Sequence, residues 1–256
     1  MIKKAFKIIL NIIPRPILIR ASYFIKPFLI VFLKGNKFTD PIDNKSFRTF
    51  LPYGYANQRA NVLSPSTFSL ERHRLLWLYL QNETNFFKAP LKVLHFAPEQ
   101  AFYKKFKNQS NLDYTTTDLN SPLADVKADI CNLPFQSNMY DVILCNHVLE
   151  HIPNDTLAMQ ELFRVLKPGG FAILQIPQDL NREHTFEDNT ITNKKERTKI
   201  FGQYDHVRIY GRDYFNKLRS IGFTVEEIDY TKKFTKQEIE KYSLAKNEII
   251  PVCYKN

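Results

Sequence analysis

Four groups of residues in this chain carry side chains able to bind ligands or move protons. Asp118 closes the run Leu112-Asp113-Tyr114-Thr115-Thr116-Thr117, whose tyrosine and threonines favour a strand. A carboxylate at the end of a parallel strand can accept both hydroxyl protons of a ribose. Asp129 follows in Ala128-Asp129-Ile130, and Asn146-His147-Val148-Leu149-Glu150-His151 then gathers an amide, two imidazoles and a carboxylate. Tyr204-Asp205-His206-Val207-Arg208 adds a phenol, a third imidazole and a guanidinium. An imidazole titrates close to neutral pH, so His151 and His206 are the candidate general bases for an oxygen or nitrogen nucleophile. Arg208 has the forked donors of an anion clamp and, with Tyr204, is a candidate substrate contact.

The elements that must position these groups are legible from periodicity. Lys92 to Phe96 and Tyr140 to Asn146 are short apolar runs of the kind that form buried strands, and Phe171 to Ile176 is a third. Asn154 to Leu166 predicts a helix, broken by Lys167-Pro168-Gly169-Gly170 before the next strand. Ser69 to Leu80 predicts a helix with Ser69 as its N-cap and Glu71 in its first turn. Residues 178 to 203 show little periodicity and read as a polar loop or lid. Arg212 to Ile221, closed by Gly222, is a predicted helix, and Phe223 to Tyr230 and Ile249 to Tyr254 are predicted strands.

The 256 residues are 44% hydrophobic and 24% charged, which places the chain among globular proteins. Three cysteines, at 131, 145 and 253, form no close pair, so a reducing, cytoplasmic setting is expected. The net charge of +10 is concentrated: Lys3, Lys4, Lys7, Arg15, Arg20, Lys26, Lys34 and Lys37 face no acid within residues 1–38. The remainder is nearly neutral and offers no diffuse face for a polyanion, so no nucleic-acid partner is expected. Within 1–38, Ile2, Phe6, Ile9 and Ile13 recur at helical spacing opposite Lys3, Lys4 and Lys7, and a second apolar stretch runs from Ile17 to Leu33. The longest uncharged runs, 8–14 and 27–33, hold seven residues each, whereas a bilayer span needs about twenty. The expectation is a monotopic segment that lays its apolar face on an anionic membrane surface at the inner face of a membrane, the alternative being helices that pack on the domain or form an oligomer contact.

The order of pieces from Asp118 to Pro177 resembles the class I S-adenosylmethionine-dependent methyltransferases. It is most similar to the type 11 small-molecule branch, whose fourth strand ends in Asn-x-x-Leu-Glu-His, here Asn146 to His151. The resemblance implies an α/β fold with a Rossmann-like, doubly wound, mostly parallel seven-stranded sheet and an antiparallel C-terminal edge hairpin. The chain is expected to hold three segments: 1–38 as a basic apolar helical segment and candidate membrane-surface anchor, 39–66 as a turn-rich connector, and 67–256 as the catalytic domain. S-Adenosylmethionine is the implied cofactor. The roles carried over are Asp118 on the ribose hydroxyls, Asp129 on the adenine amino group, Leu119 and Ile130 on the adenine faces, and Asn146 near the methionine end. The implied reaction is transfer of a methyl group to a small-molecule or lipid-linked acceptor by in-line displacement.

The sequence departs from that resemblance in two places. The usual acid followed by a Gly-x-Gly-x-Gly loop is replaced by His95-Phe96-Ala97-Pro98-Glu99-Gln100-Ala101. There Ala97 is the smallest replacement for a glycine, and Glu99 is the candidate partner for the cofactor's ammonium. The connector contains Asp40-Pro41-Ile42-Asp43 and Ser64-Pro65-Ser66-Thr67, which resemble zinc knuckles whose thiolates have been replaced and read equally as plain proline turns. Carboxylates and hydroxyls make a poor structural zinc site, so no metal is expected. Two competing readings follow: a non-catalytic protein of the same fold that binds a membrane or partner, supported by the altered loop, and a nucleic-acid methyltransferase. The second lacks the Asn/Asp-Pro-Pro-Tyr/Phe motif after the fourth strand.

Overall fold

The computed structural model describes residues 15–54 and 58–256. The amphipathic stretch expected over residues 2–13 lies outside them. The described chain forms two compact units, one of the residues up to Trp77 with Phe234–Ala245, the other of Leu78–Lys233 with Lys246–Asn256. This division differs from the three expected segments because a piece near the C-terminus returns to the N-terminal unit.

The first unit begins with helix α1 (Arg15–Phe32), which continues through Pro27. Its C-terminal half leaves Phe24, Ile25, Phe28, Val31 and Phe32 exposed, at 53–78% of their full areas. Among the described residues no helix is long and apolar enough to cross a membrane. Two hairpins follow, β1 (Lys34–Asp40) with β2 (Lys45–Phe47), and β3 (Leu51–Tyr53) with β4 (Arg59–Leu63). Leu33, Phe47 and Phe50 form a small core beneath them. The two proline quartets meet in a hydrogen-bonded cluster. Asp40 Oδ2 accepts from Thr67 Oγ1 and Ser69 Oγ, and Asp43 Oδ1 accepts from Ser66 Oγ. Helix α2 (Glu71–Glu83) starts two residues after Ser69, whose hydroxyl is spent on Asp40 rather than on a cap. Buried Arg74 donates to Ser69 O and, from the returning segment, to Tyr242 O and Ser243 O. Burial lowers its pKa to about 10.

The second unit is built on seven strands in the order β12-β13-β9-β8-β5-β6-β7. They are β5 (Leu91–Phe96), β6 (Leu112–Asp118), β7 (Val126–Lys127), β8 (Tyr140–Cys145), β9 (Leu166–Ile173), β12 (Thr224–Ile228) and β13 (Ile250–Tyr254). The first five are parallel, and β13 runs antiparallel to both β9 and β12. This is the expected mostly parallel sheet with its antiparallel edge pair. The helices are α3 (Gln100–Lys107), α4 (Asp155–Val165), α5 (Lys194–Phe201) and α6 (Tyr214–Ile221). Val93, Val142, Ile143 and Leu144 are fully buried, as parallel strands covered on both faces require.

Three expectations are corrected here. The Lys167-Pro168-Gly169-Gly170 segment lies inside β9 as an irregularity in register rather than ahead of it. Gly169 takes φ +77° there and its N–H donates to Lys255 O at 2.7 Å, a left-handed conformation suited to glycine. Residues 178–203 are not an unstructured lid. They contain β10 (Phe186–Glu187), paired with β11 (Arg208–Ile209), and helix α5, capped by Asn193. Helix Lys236–Tyr242 went unexpected, although Thr235 and Glu238 form a capping box that the sequence displays.

Candidate active site

In an open α/β sheet ligands gather at the carboxyl ends of the strands where the strand order reverses, which here is between β5 and β8. The loop after β5 is shaped by Ala97, which takes φ +45° and donates its N–H to Thr117 O at 2.9 Å. That left-handed conformation is the one a glycine would adopt, so the loop keeps a glycine-like path without the glycine. His95 is fully buried, with Nδ1 2.7 Å from Tyr114 Oη and Nε2 in a short contact with Glu99 Oε2. Glu99 Oε1 accepts from Asn146 Nδ2 at 3.2 Å. Thus Ala97, Glu99 and Asn146, separated in sequence, converge above the strand ends.

Asp118 ends β6 beside this loop, and its Oδ1 accepts from the N–H groups of Asn120 at 2.7 Å and Ser121 at 2.6 Å. Both bonds use one oxygen and fix the carboxylate's direction. Asp129 is exposed, and its Oδ1 accepts from Cys131 N. Leu119 is 62% exposed and offers an apolar surface, whereas Ile130 is buried in the core with Leu133 and Tyr140. Two buried oxygens at the same end have no hydrogen-bond partner, Thr117 Oγ1 and Asn146 Oδ1. Buried polar atoms rarely stay unpaired. The left-handed loop, the directed Asp118 carboxylate and these two orphaned oxygens make a polar cradle that fits an adenosyl cofactor with a ribose and an amino-acid end.

The second cluster follows β8. A 3-10 turn over Leu149–His151 places Glu150 and His151, and the segment after α5 brings His206 to them. The rings of His151 and His206 lie 4.7 Å apart, edge to face. Burial lowers the pKa of His206, which favours its neutral form. Burial pushes Glu150 up, but the hydrogen bond and charge of His147 and the charge of His151 outweigh it, so its carboxyl lies below the usual range. His151 and His206 thus share one surface, as two candidate bases must. Tyr204 is half exposed, with Lys194 Nζ 5.7 Å from its ring centre.

Arg208 does not have the surroundings of a substrate clamp. It is 2% exposed, and its guanidinium donates to Leu149 O, Ile152 O, Pro153 O and Glu187 Oε2. Asp155 lies 3.7 Å away. Four acceptors from two segments, residues 149–153 and Glu187, leave it a structural tie between the 3-10 turn and β10–β11. Sequence reasoning also passed over His95 and Thr117 as parts of the site. The signal for His95 was its position, where the resembling enzymes carry an acid. A cavity lined by Lys92, Asn111, Asp113, Asp141 and Lys167 lies at the amino ends of β5 and β6, the edge opposite these groups.

Comparison with known proteins bears on this site. Residues 89–174 match the profile of the family described as "Methyltransferase domain". Among curated relatives, demethylmenaquinone methyltransferase of Staphylococcus carnosus is 36% identical over 70 residues, covering 27% of this chain and 24% of the relative. The 2-phytyl-1,4-naphtoquinone methyltransferase of Nostoc punctiforme is 31% identical over 116 residues, covering 40% of this chain and 50% of the relative. The chain therefore spans half or less of the length of these relatives. A solved structure described as a SAM dependent methyltransferase from Archaeoglobus fulgidus aligns with TM-score 0.46 at 15% identity, over 71% of this chain and 93% of that one. The family match agrees with the methyltransferase class implied by the sequence.

Proposed function

We propose that this chain transfers a methyl group from S-adenosylmethionine to a small-molecule acceptor that carries a lipid tail. The observation that carries the reading is the convergence of Ala97, Glu99, Asp118 and Asn146 at the carboxyl ends of β5, β6 and β8, with two buried oxygens awaiting a partner. The cofactor supplies an electrophilic methyl group on a sulfonium. Asp118 holds the ribose hydroxyls and Glu99 with Asn146 takes the amino-acid end, while Leu119 and Asp129 attend the adenine. His206, neutral at physiological pH, accepts the acceptor's proton, and His151 beside it is the alternative base. Tyr204 contributes a half-exposed ring to the acceptor's approach.

Two features support the lipid-tailed class. The apolar residues exposed on α1, in a segment rich in Lys and Arg, suit the boundary between headgroups and acyl chains. One relative is named for a phytyl-bearing naphthoquinone. We read the Asp40 and Ser64 quartets as a knuckle whose hydrogen bonds do the work of a metal. The test is calorimetric titration of S-adenosylhomocysteine into the full chain. Micromolar binding is expected. Absence of binding at millimolar ligand would remove the methyltransferase reading and leave a non-catalytic protein of this fold.

A further inference from the structure

We propose that Glu150, His151 and His206 form a binding site for one divalent transition-metal ion of the zinc class, held by two imidazole nitrogens and one carboxylate. One ligand atom from each of the three lies within 4.8 Å of the others. This site is unrelated to the proline quartets, where the sequence invited a metal question, and no sequence spacing brings His206 to the pair.

The second arrangement around the imidazoles points the same way. His151 Nδ1 lies 3.3 Å from Asp205 O, and His206 Nδ1 lies 3.2 Å from Phe201 O. A carbonyl can only accept, so each ring donates from Nδ1, and in the neutral ring the lone pair then lies on Nε2. Histidines that bind metals are held in this way, with the other ring nitrogen donating to a carbonyl or carboxylate. Asp205 Oδ2, 3.5 Å from His151 Nδ1, adds negative charge behind the ring.

Glu150 supplies an independent observation. It is 1% exposed, and its Oε2 has no hydrogen-bond partner. Its other oxygen faces His147 Nδ1 at 3.5 Å and His151 Nε2 at 4.0 Å. A simple charge cluster accounts for Oε1 and leaves Oε2 buried and unpaired, which carries an uncompensated desolvation cost for a charged group. A cation answers that cost. Metal–nitrogen bonds of about 2.0–2.1 Å in tetrahedral geometry place ligand atoms about 3.4 Å apart. The imidazoles must close by rotation, and His151, with 28% of its side chain exposed, has room to do so.

Two imidazoles and one carboxylate with open positions are the donor set of catalytic rather than structural ions. With the ion bound neither imidazole is free to act as the base, so the open position would take an oxygen of the acceptor and favour its deprotonated form in place of the His206 general base. That use rests on the methyltransferase reading, whereas the binding itself does not.

The test is titration of cobalt(II) into the full chain after dialysis against a chelator, read by visible absorbance, with zinc as competitor and S-adenosylhomocysteine titrated in parallel. One equivalent should bind and be displaced by zinc. His206→Ala and Glu150→Gln should each weaken it at least about tenfold, with unchanged circular dichroism. His147→Gln should retain it. No saturable cobalt binding, or equal binding by His206→Ala, overturns the site, as does its loss in His147→Gln alone. Cobalt failure with S-adenosylhomocysteine bound leaves the methyltransferase reading intact, and the reverse result removes that reading while the metal site stands.

Discussion

At the scale of single residues, the loop after β5 shows how a missing glycine is accommodated. Ala97 takes φ +45°, which costs a non-glycine residue about 1–2 kcal/mol. Its hydrogen bond to Thr117 O and the anchoring of Glu99 by His95 and Asn146 hold that conformation. Ala97→Gly should therefore stabilise the fold by about 0.5–1 kcal/mol, the strain relieved less the entropy of about 0.4–1 kcal/mol that glycine adds to the unfolded chain. Urea unfolding measures it, and a destabilised variant would show that the loop is not strained. Asp118 faces the opposite demand, because its carboxylate is held by two N–H groups at the strand end and adds little to the core. Asp118→Ala should weaken S-adenosylhomocysteine binding by at least about tenfold, or 1.4 kcal/mol, with a nearly unchanged unfolding midpoint. Unchanged affinity would take Asp118 out of the site. The strand-end positions of Asp118 and Asn146 were legible because strand ends can be read from sequence. Arg208 was misread because the same forked donors that suit an anion also suit a ring of carbonyls, and only the chain path shows which surrounds it.

At the scale of elements, the helix α4 shows local chemistry and tertiary support acting together. Asn154 Oδ1 caps it by accepting from Leu157 N, as its sequence position predicts. Near its other end, Arg164 donates to both oxygens of Glu161 at 2.6 and 2.8 Å, and to Phe135 O. Glu161 also accepts from Leu133 N, so the pair ties α4 to the loop before β8. The hydrogen bond from Arg164, opposed by burial and aided by Leu133, lowers the Glu161 pKa. A depressed carboxyl stabilises the fold fully above its unfolded pKa of about 4.3 and loses that contribution as pH falls through the folded value. Stability should therefore fall with acid below about pH 4.5, and Glu161→Gln should flatten that part of the profile. An identical acid limb in the variant would show that other carboxyls set it. Elements with apolar periodicity, such as β5, β8 and α4, were readable. The pair β10–β11 was not, because strands of two residues carry no period, and their pairing depends on residues 21 positions apart, Glu187 and Arg208.

At the scale of the whole chain, eight cations without an acid in residues 1–38 and the exposed Phe24, Phe28 and Phe32 of α1 would both suit the anionic lipid surface that we propose for this segment. The full chain should sediment with vesicles containing anionic lipid at low salt, and Phe24→Glu with Phe28→Glu should reduce that binding severalfold. Equal sedimentation by the double variant would place the contact elsewhere. The sequence by itself determined the strands and the strand-end positions of Asp118 and Asn146, because strands and their ends are written in local patterning, while the parallel order and the antiparallel edge pair were implied by the resemblance to a known family. Only the tertiary structure decided what depends on distant segments meeting. It returned Phe234–Ala245 to the first unit, where Arg74 binds Tyr242 O and Ser243 O, and it brought His206 against His151 and Glu150. Such meetings follow from chain closure and from satisfying buried polar groups, and neither leaves a period in the sequence.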